Sequence, residues 1–402
     1  MATRNFQLRH NRAAMNETKS TGSGNRHAEI AVAFLRLGFI AFGGPAAHIA
    51  LMEDEFVQRR QWLGREEFVD RVGAVNLLPG PSSTEMAIYL GHLRGGLPGL
   101  FIAGAAFILP AALLTLTMAW AYVKYGALPQ VAGVLWGVKP VIVALLAQAI
   151  WSLGKAALKS RELMVIAAIV LGLAAMKVST LALLVGTGVA WIVANRFGRN
   201  KVAGVAGTAM SVRRGAAAVT TLAAATTAGV FAYFLKIGAL LFGSGYVLLA
   251  VLREDLVTRM HWVTESQLLD AVAVSQATPG PFFTVATFLG YVLSGWRGAV
   301  LATVGMFAPA FVYVALTARV LPRMRKSPTA SAFLDGVNAA AVALMAFVGF
   351  QFAREAVVTP LAVAIAIVSA VLLFRYRVNS VWLILGGAAS GLVLRVVANV
   401  PQ

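Results

Sequence analysis

"NLLPGPSSTEMAIYLG" occupies residues 76–91, and "QATPGPFFTVATFLG" occupies residues 276–290. Both stretches are apolar enough to lie in a membrane, yet each carries Pro-Gly-Pro. The first proline disfavours helix in the residue before it, the glycine is permissive, and the second proline suits the first turn of a new helix. The chain therefore stops and restarts an apolar helix twice, about 200 residues apart.

The surrounding composition says what kind of protein does this. Of 402 residues, 59% are hydrophobic and only 12% charged, with mean hydropathy +0.77. A soluble domain is about half apolar and a quarter charged. Apolar runs of nearly membrane-crossing length recur from residues 28–52 to 381–397. Only helices and closed barrels cross lipid, and nothing alternates as a barrel strand does. The fold class is an all-α polytopic membrane protein. The net charge of +18 points to basic cytoplasmic loops, and no nucleic-acid partner is expected. The basic first 27 residues lack a signal-peptide core. Cysteine is absent, as are a P-loop, HExxH, GxSxG and any carboxylate–histidine cluster. No cofactor, no metal and no enzymatic activity are expected.

A shift of 200 aligns residues 34–81 with 234–281 without a gap, matching Phe34/Phe234, Gly38/Gly238, Arg59/Arg259, Trp62/Trp262 and Asp70/Asp270 as well as the Pro-Gly-Pro turns. Beyond them the shift becomes 199, pairing Gly91 with Gly290 and Pro110 with Pro309. Shared hydrophobicity does not match rare Trp, Arg, Asp and Pro so consistently. The domains are a basic tail (1–27), a first half (28–195), a linker (196–227) and a second half (228–402). Lys155, Lys159 and Arg161 mark one loop of the first half, whereas Arg319, Arg323, Arg325 and Lys326 mark the non-equivalent loop of the second. Because positive loops stay inside, the halves read as inverted rather than parallel. Re-entrant Pro-Gly-Pro hairpins give about ten spans and full crossings about thirteen. Residues 53–71 and 253–270 read as interfacial helices anchored by Trp62 and Trp262, with Asp70 and Asp270 as caps or salt-bridge partners.

A restarted helix offers unpaired N–H groups and a partial positive charge at its first turn, a ready anion site. Pro79, Gly80 and Pro81 lead into Ser82, Ser83 and Thr84, whose hydroxyls add donors. The second copy, around Gly280, has Phe282, Phe283 and Thr284 instead and is drier. The alternative is a pair of structural hinges that touch no ligand. Arg36 and Lys236 sit at equivalent intramembrane positions and either flank one anion or snorkel to the interface. Glu85 is suited to carrying a proton during coupling, and equally to pairing with Arg36. Asn76 and Gln276 precede the breaks and line a path or cap the turn, and His48 reads as packing. Gly386, Gly387 and Ala389 permit close helix packing within one chain or in a homodimer.

The paired motifs "FLRLGFIAFGGP…NLLPGPSSTEMAIYLG…FILPA" and "FLKIGALLFGSG…QATPGPFFTVATFLG…MFAPA" resemble the chromate transporter family, long-chain type with two fused halves, over nearly the whole chain from about residue 28. The resemblance implies a multi-pass protein of the bacterial inner membrane that exports chromate from the cytoplasm and confers chromate resistance. It also implies sulfate as a related anion, the proton motive force as driver, oppositely facing halves, and a first half that is functionally the more demanding. Residue spacing alone indicates only an anion. A sulfate importer on the same scaffold and, more remotely, a membrane-embedded enzyme acting on an anionic lipid headgroup are the other readings.

Overall fold

The computed structural model describes residues 23–126, 128–197, 225–242, 245, 247–318 and 327–398. The first 22 residues and most of the inter-half linker lie outside the described residues, as do the basic residues 319–326. All regular structure among the described residues is helical. The first half comprises α1 (Ser23–Ile40), α2 (Gly44–Glu53), a π-turn (Asp54–Arg59), α3 (Arg65–Val75), α4 (Ser82–Tyr125), α5 (Pro129–Ala157), α6 (Arg161–Ala175) and α7 (Thr180–Phe197). The second half repeats this as α8 (Thr227–Leu240), α9 (Val247–Leu252), a π-turn (Arg253–Arg259), α10 (Glu265–Ala277), a 3-10 turn (Phe282–Thr284), α11 (Val285–Thr317), α12 (Pro328–Ala356), α13 (Pro360–Arg375) and α14 (Ser380–Ala398).

α4 and α11 each fold on themselves. Gly95 and Gly96 leave helical geometry in α4, and Ser294 and Gly295 do so in α11, with Gly96 and Gly295 both at φ 63°. The arms close tightly because a Cβ on Gly91 would meet the Gly99 carbonyl oxygen, and one on Gly290 would meet that of Gly298. The Pro-Gly-Pro segments are therefore the tips of re-entrant hairpins rather than full crossings. In the first half α3 descends to Gly80 and the arm 82–94 returns, with Arg71 lying 5.4 Å over the Tyr89 ring. The preceding α1 and α2 form another hairpin, broken at Gly43 and Gly44. Trp62, just past α2, donates to Glu29 near the start of α1 at 3.1 Å.

Residues 53–71 are thus not one interfacial helix. They contain a π-turn, a bend at Gln61 (φ 51°) and the start of α3, and the second half repeats this at His261 (φ 50°). Each segment joins two hairpins, and its charges sit at their outer ends. Glu29 accepts there from Arg60 (3.3 Å), Trp62 (3.1 Å) and Arg94 (3.0 Å). Glu29→Ala is expected to cost about 1 kcal/mol, since the knot is partly exposed, and to lower the detergent melting temperature by a few degrees.

The long arm 97–125 shows that the halves are inverted. It starts beside Arg94 and Glu29, passes Gly38 at Phe107 and Gly280 at Ala111, and then reaches α10. There Thr115 lies 3.4 Å from Thr278, and Tyr122 donates to Asp270 at 3.1 Å. Rising along α4 means falling along α10, so the two run antiparallel. α3 is antiparallel to the arm 82–94 and hence parallel to 97–125. Equivalent helices α3 and α10 therefore point in opposite directions, as an inverted repeat requires. The loop charges agree: Lys159 pairs with Asp335 at 3.4 Å, placing the end of α5 and the start of α12 on one face.

The halves also exchange partners. α5 packs against α13 and α14, while its counterpart α12 packs against α6 and α7. The contact is close because Gly133 and Gly137 of α5 face Gly387 and Gly391 of α14, backbone against backbone. Gly387 and Gly391 are thus used within the chain, whereas Gly386 and Ala389 stay exposed. Outward faces stay apolar, with Leu316 73%, Trp382 70% and Phe350 64% exposed. Among the described residues, four helices are long and apolar enough to cross a membrane: α4, α5, the stretch 282–317 and α12. The apolar α7, α8, α13 and α14 are shorter.

Candidate functional site

The two Pro-Gly-Pro tips meet where the halves cross. The Gly80 N–H donates to the Leu241 carbonyl (2.8 Å), and the Gly280 N–H donates to the Ala41 carbonyl (2.7 Å). Ala41 and Leu241 are equivalent residues at the ends of α1 and α8. Each turn thus takes up a carbonyl freed where the opposite half's first helix breaks, which satisfies backbone groups that lipid cannot. The geometry needs glycine, because Gly80 has φ 133° and Gly280 φ 90°, backbone that L side chains rarely adopt.

Beyond this crossing the two tips differ. In the first half Pro81, Ser82 and Ser83, with Asn76 at the end of α3, line a cavity of about 490 Å³. Its other walls are Phe282 and Phe283 of the second half, Pro45 and Ala46 of α2, and Leu334 and Asn338 of α12. The arm 82–94 aims its first turn at this space. Thr84 and Glu85 accept no lining role: both are fully buried, and their side-chain oxygens have no hydrogen-bond partner. Glu85 folds back beside the turn, with Oε1 where a Cβ on Gly80 would come within 2.8 Å. A second cavity of about 420 Å³ adjoins the first along Pro45, Ala46 and Leu153, and Gln276 opens onto it.

The cations are elsewhere. Arg36 lies on the exposed face of α1 beside Leu35, Phe39 and Ile40. Lys236 is half-buried on α8, with its charge acting on Asp255. The expectation that both flank one interior anion is not met, because residues 34, 37 and 38 take the inward face of α1 and leave position 36 outside. Pairing of Glu85 with Arg36 is excluded on the same ground. Asp270, expected at an exposed boundary, is 3% exposed and pairs with Lys139 at 3.3 Å. Its counterpart Asp70 is exposed.

His48 is more than packing. It is 1% exposed, with Nδ1 3.1 Å from Ser83 Oγ and Nε2 3.1 Å from the Ala41 carbonyl oxygen. It joins the cavity's hydroxyl wall to the carbonyl that Gly280 also uses. The sequence held a signal for it: at the 200-residue shift His48 becomes Leu248 and Ser83 becomes Phe283, so both partners turn apolar together. Among the described residues no group of His, Asp and Glu could hold a metal ion.

No solved structure matches the chain. It is 31% identical over 367 residues to the chromate transport protein of Cupriavidus metallidurans, covering 90% of this chain and 91% of that one. It is 33% identical over 376 residues to the chromate transport protein of Pseudomonas aeruginosa, covering 89% and 90%. An uncharacterized transporter of Bacillus subtilis matches only 32% of this chain but 72% of its own length, at 33% identity, as a single half does. The family described as Chromate transporter matches residues 28–192 and again 228–392. With an inverted pair of hairpin-bearing halves matched one by one, the chain belongs to the chromate transporter family.

Proposed function

We propose that this protein exports chromate from the cytoplasm as a secondary transporter of the bacterial inner membrane. The observation that carries the reading is the cavity on the first Pro-Gly-Pro tip, where a helix N-terminus, Ser82, Ser83 and Asn76 converge on about 490 Å³. Hydroxyls and unpaired N–H groups suit a tetrahedral dianion, and the Phe282–Phe283 wall excludes water from one side of it. Pro79, Gly80 and Gly280 shape the tips rather than touch the ligand. The walls from the end of α5 and the start of α12 lie toward the face carrying Lys155 and Lys159, the cytoplasmic one by the positive-inside rule. The cavity is thus reached from the cytoplasm. Moving a bare dianion outward down an inside-negative potential is favourable by about 4.6 kcal/mol per 100 mV, so the membrane potential favours export.

Everted vesicles test this directly. Energised vesicles are expected to accumulate labelled chromate, with Ser83→Ala raising the apparent KM about tenfold and Phe283→Ala raising it far less. Accumulation only in right-side-out vesicles identifies an importer, with sulfate as the first competitor to examine. Turnover of an anionic lipid without flux identifies an enzyme.

A further inference from the structure

His48 decides which way the Ser83 hydroxyl points. A carbonyl oxygen only accepts, so Nε2, which faces the Ala41 carbonyl, carries hydrogen whether the ring is neutral or charged. In the neutral ring Nδ1 is then a bare lone pair, and Ser83 commits its single O–H to it at 3.1 Å. Oγ is left with lone pairs toward the cavity, which repel an anion. In the protonated ring Nδ1–H donates to Oγ instead, and the Ser83 hydrogen is free to turn into the cavity. We propose that His48 is a positioning residue that makes Ser83 a donor to the anion when the imidazole takes up a proton, so that one proton enters the site with each tetrahedral dianion. This rests on the reading of the cavity as the anion site.

The surroundings hold the ring to these two partners. The Phe107 ring stands edge-on at 5.7 Å and 86°, and the Ala41 carbonyl is itself fixed by the Gly280 N–H. Other titratable groups on elements around α2 are turned away or engaged. Arg36 of α1 is exposed, Arg71 of α3 covers the Tyr89 ring, and Lys155 of α5 covers Trp151. Glu85 of α4 is buried against Gly80. None of their charges bears on the His48 ring, which feels chiefly its burial and the Ala41 carbonyl. The second half supplies a comparison within one molecule. A packing role has no reason to lose imidazole and hydroxyl together, as Leu248 and Phe283 do.

Equilibrium binding of labelled sulfate to the purified full-length protein, between about pH 5.5 and 8.5, reads the proposal, because sulfate stays doubly charged over that range and a proton taken up with it must come to rest on the protein. Wild-type affinity is expected to fall with rising pH, approaching tenfold per unit on the alkaline side. His48→Gln keeps a donor for Ala41 and an acceptor for Ser83, the pattern of the neutral ring, and is expected to bind weakly with no pH slope. Ser83→Ala is expected to lose the slope as well. Ser82→Ala weakens binding and retains the slope, because that hydroxyl is not bonded to His48. A wild-type slope in His48→Gln or in Ser83→Ala overturns the proposal and leaves the cavity as the anion site. Absence of sulfate binding at every pH overturns both. If His48→Gln does not fold, Ser83→Ala decides alone.

Discussion

Gly137→Leu is expected to leave almost no folded protein in the membrane. Even a Cβ at that position runs into the carbonyl oxygen of Gly387 and the backbone of Gly391, so α5 and α14 have to separate before any side chain fits. Backbone cannot rotate aside as a side chain can, and overpacking of this kind exceeds the usual cost of about 1–3 kcal/mol. The contact also joins the two halves, and without a hydrophobic driving force between helices in lipid, close packing is what holds them. Gly172→Leu is the control, because nothing lies within 4 Å of a Cβ there. Membrane yield and monodispersity in detergent decide it. Equal yields of the two variants would mean that α5 and α14 are not packed in this way.

Ser83→Phe is expected to reduce chromate flux by at least about 100-fold while the protein still reaches the membrane. The substitution writes the second half's residue into the first, filling a cavity of about 490 Å³ from the wall and leaving His48 Nδ1 without its partner. A lost donor together with a stranded buried nitrogen is worth about 3 kcal/mol, which is roughly 100-fold in rate. Phe283→Ser, the reverse exchange, is expected to change flux less than about threefold, because no imidazole stands opposite it. Initial rates in everted vesicles, normalised to protein content, provide the comparison. Near-wild-type flux through Ser83→Phe would remove the first-half tip from the transport path.

Much of this architecture was legible in the residue string, for identifiable reasons. Pro-Gly-Pro has few backbone solutions, so the interrupted helices followed from it alone. Matched Trp62/Trp262 and Arg59/Arg259 exposed the duplication, and the uneven placement of Lys155, Lys159 and residues 319–326 exposed its inversion, because loop charge records which side of the membrane a loop occupies. The serines after Pro81, against phenylalanines after Pro281, showed which copy carries the polar wall.

Direction around a helix and contact across halves were not legible. Arg36 is three residues from Phe39 and one from Leu37, and which of these faces inward depends on where α4 packs, information that lies about 70 residues away. His48 looked like a solitary polar residue because its two partners come from other segments, Ala41 from the break before it and Ser83 from the next hairpin. Local sequence determined that helices break, that the chain repeats and that one copy is more polar, since each follows from short-range sterics or composition. Tertiary structure alone decided that Gly80 bonds to Leu241, that Gly280 and His48 share one carbonyl, and that Arg36 stays outside. Those outcomes depend on how two inverted halves dock, and docking is set by backbone approach between residues far apart in the chain.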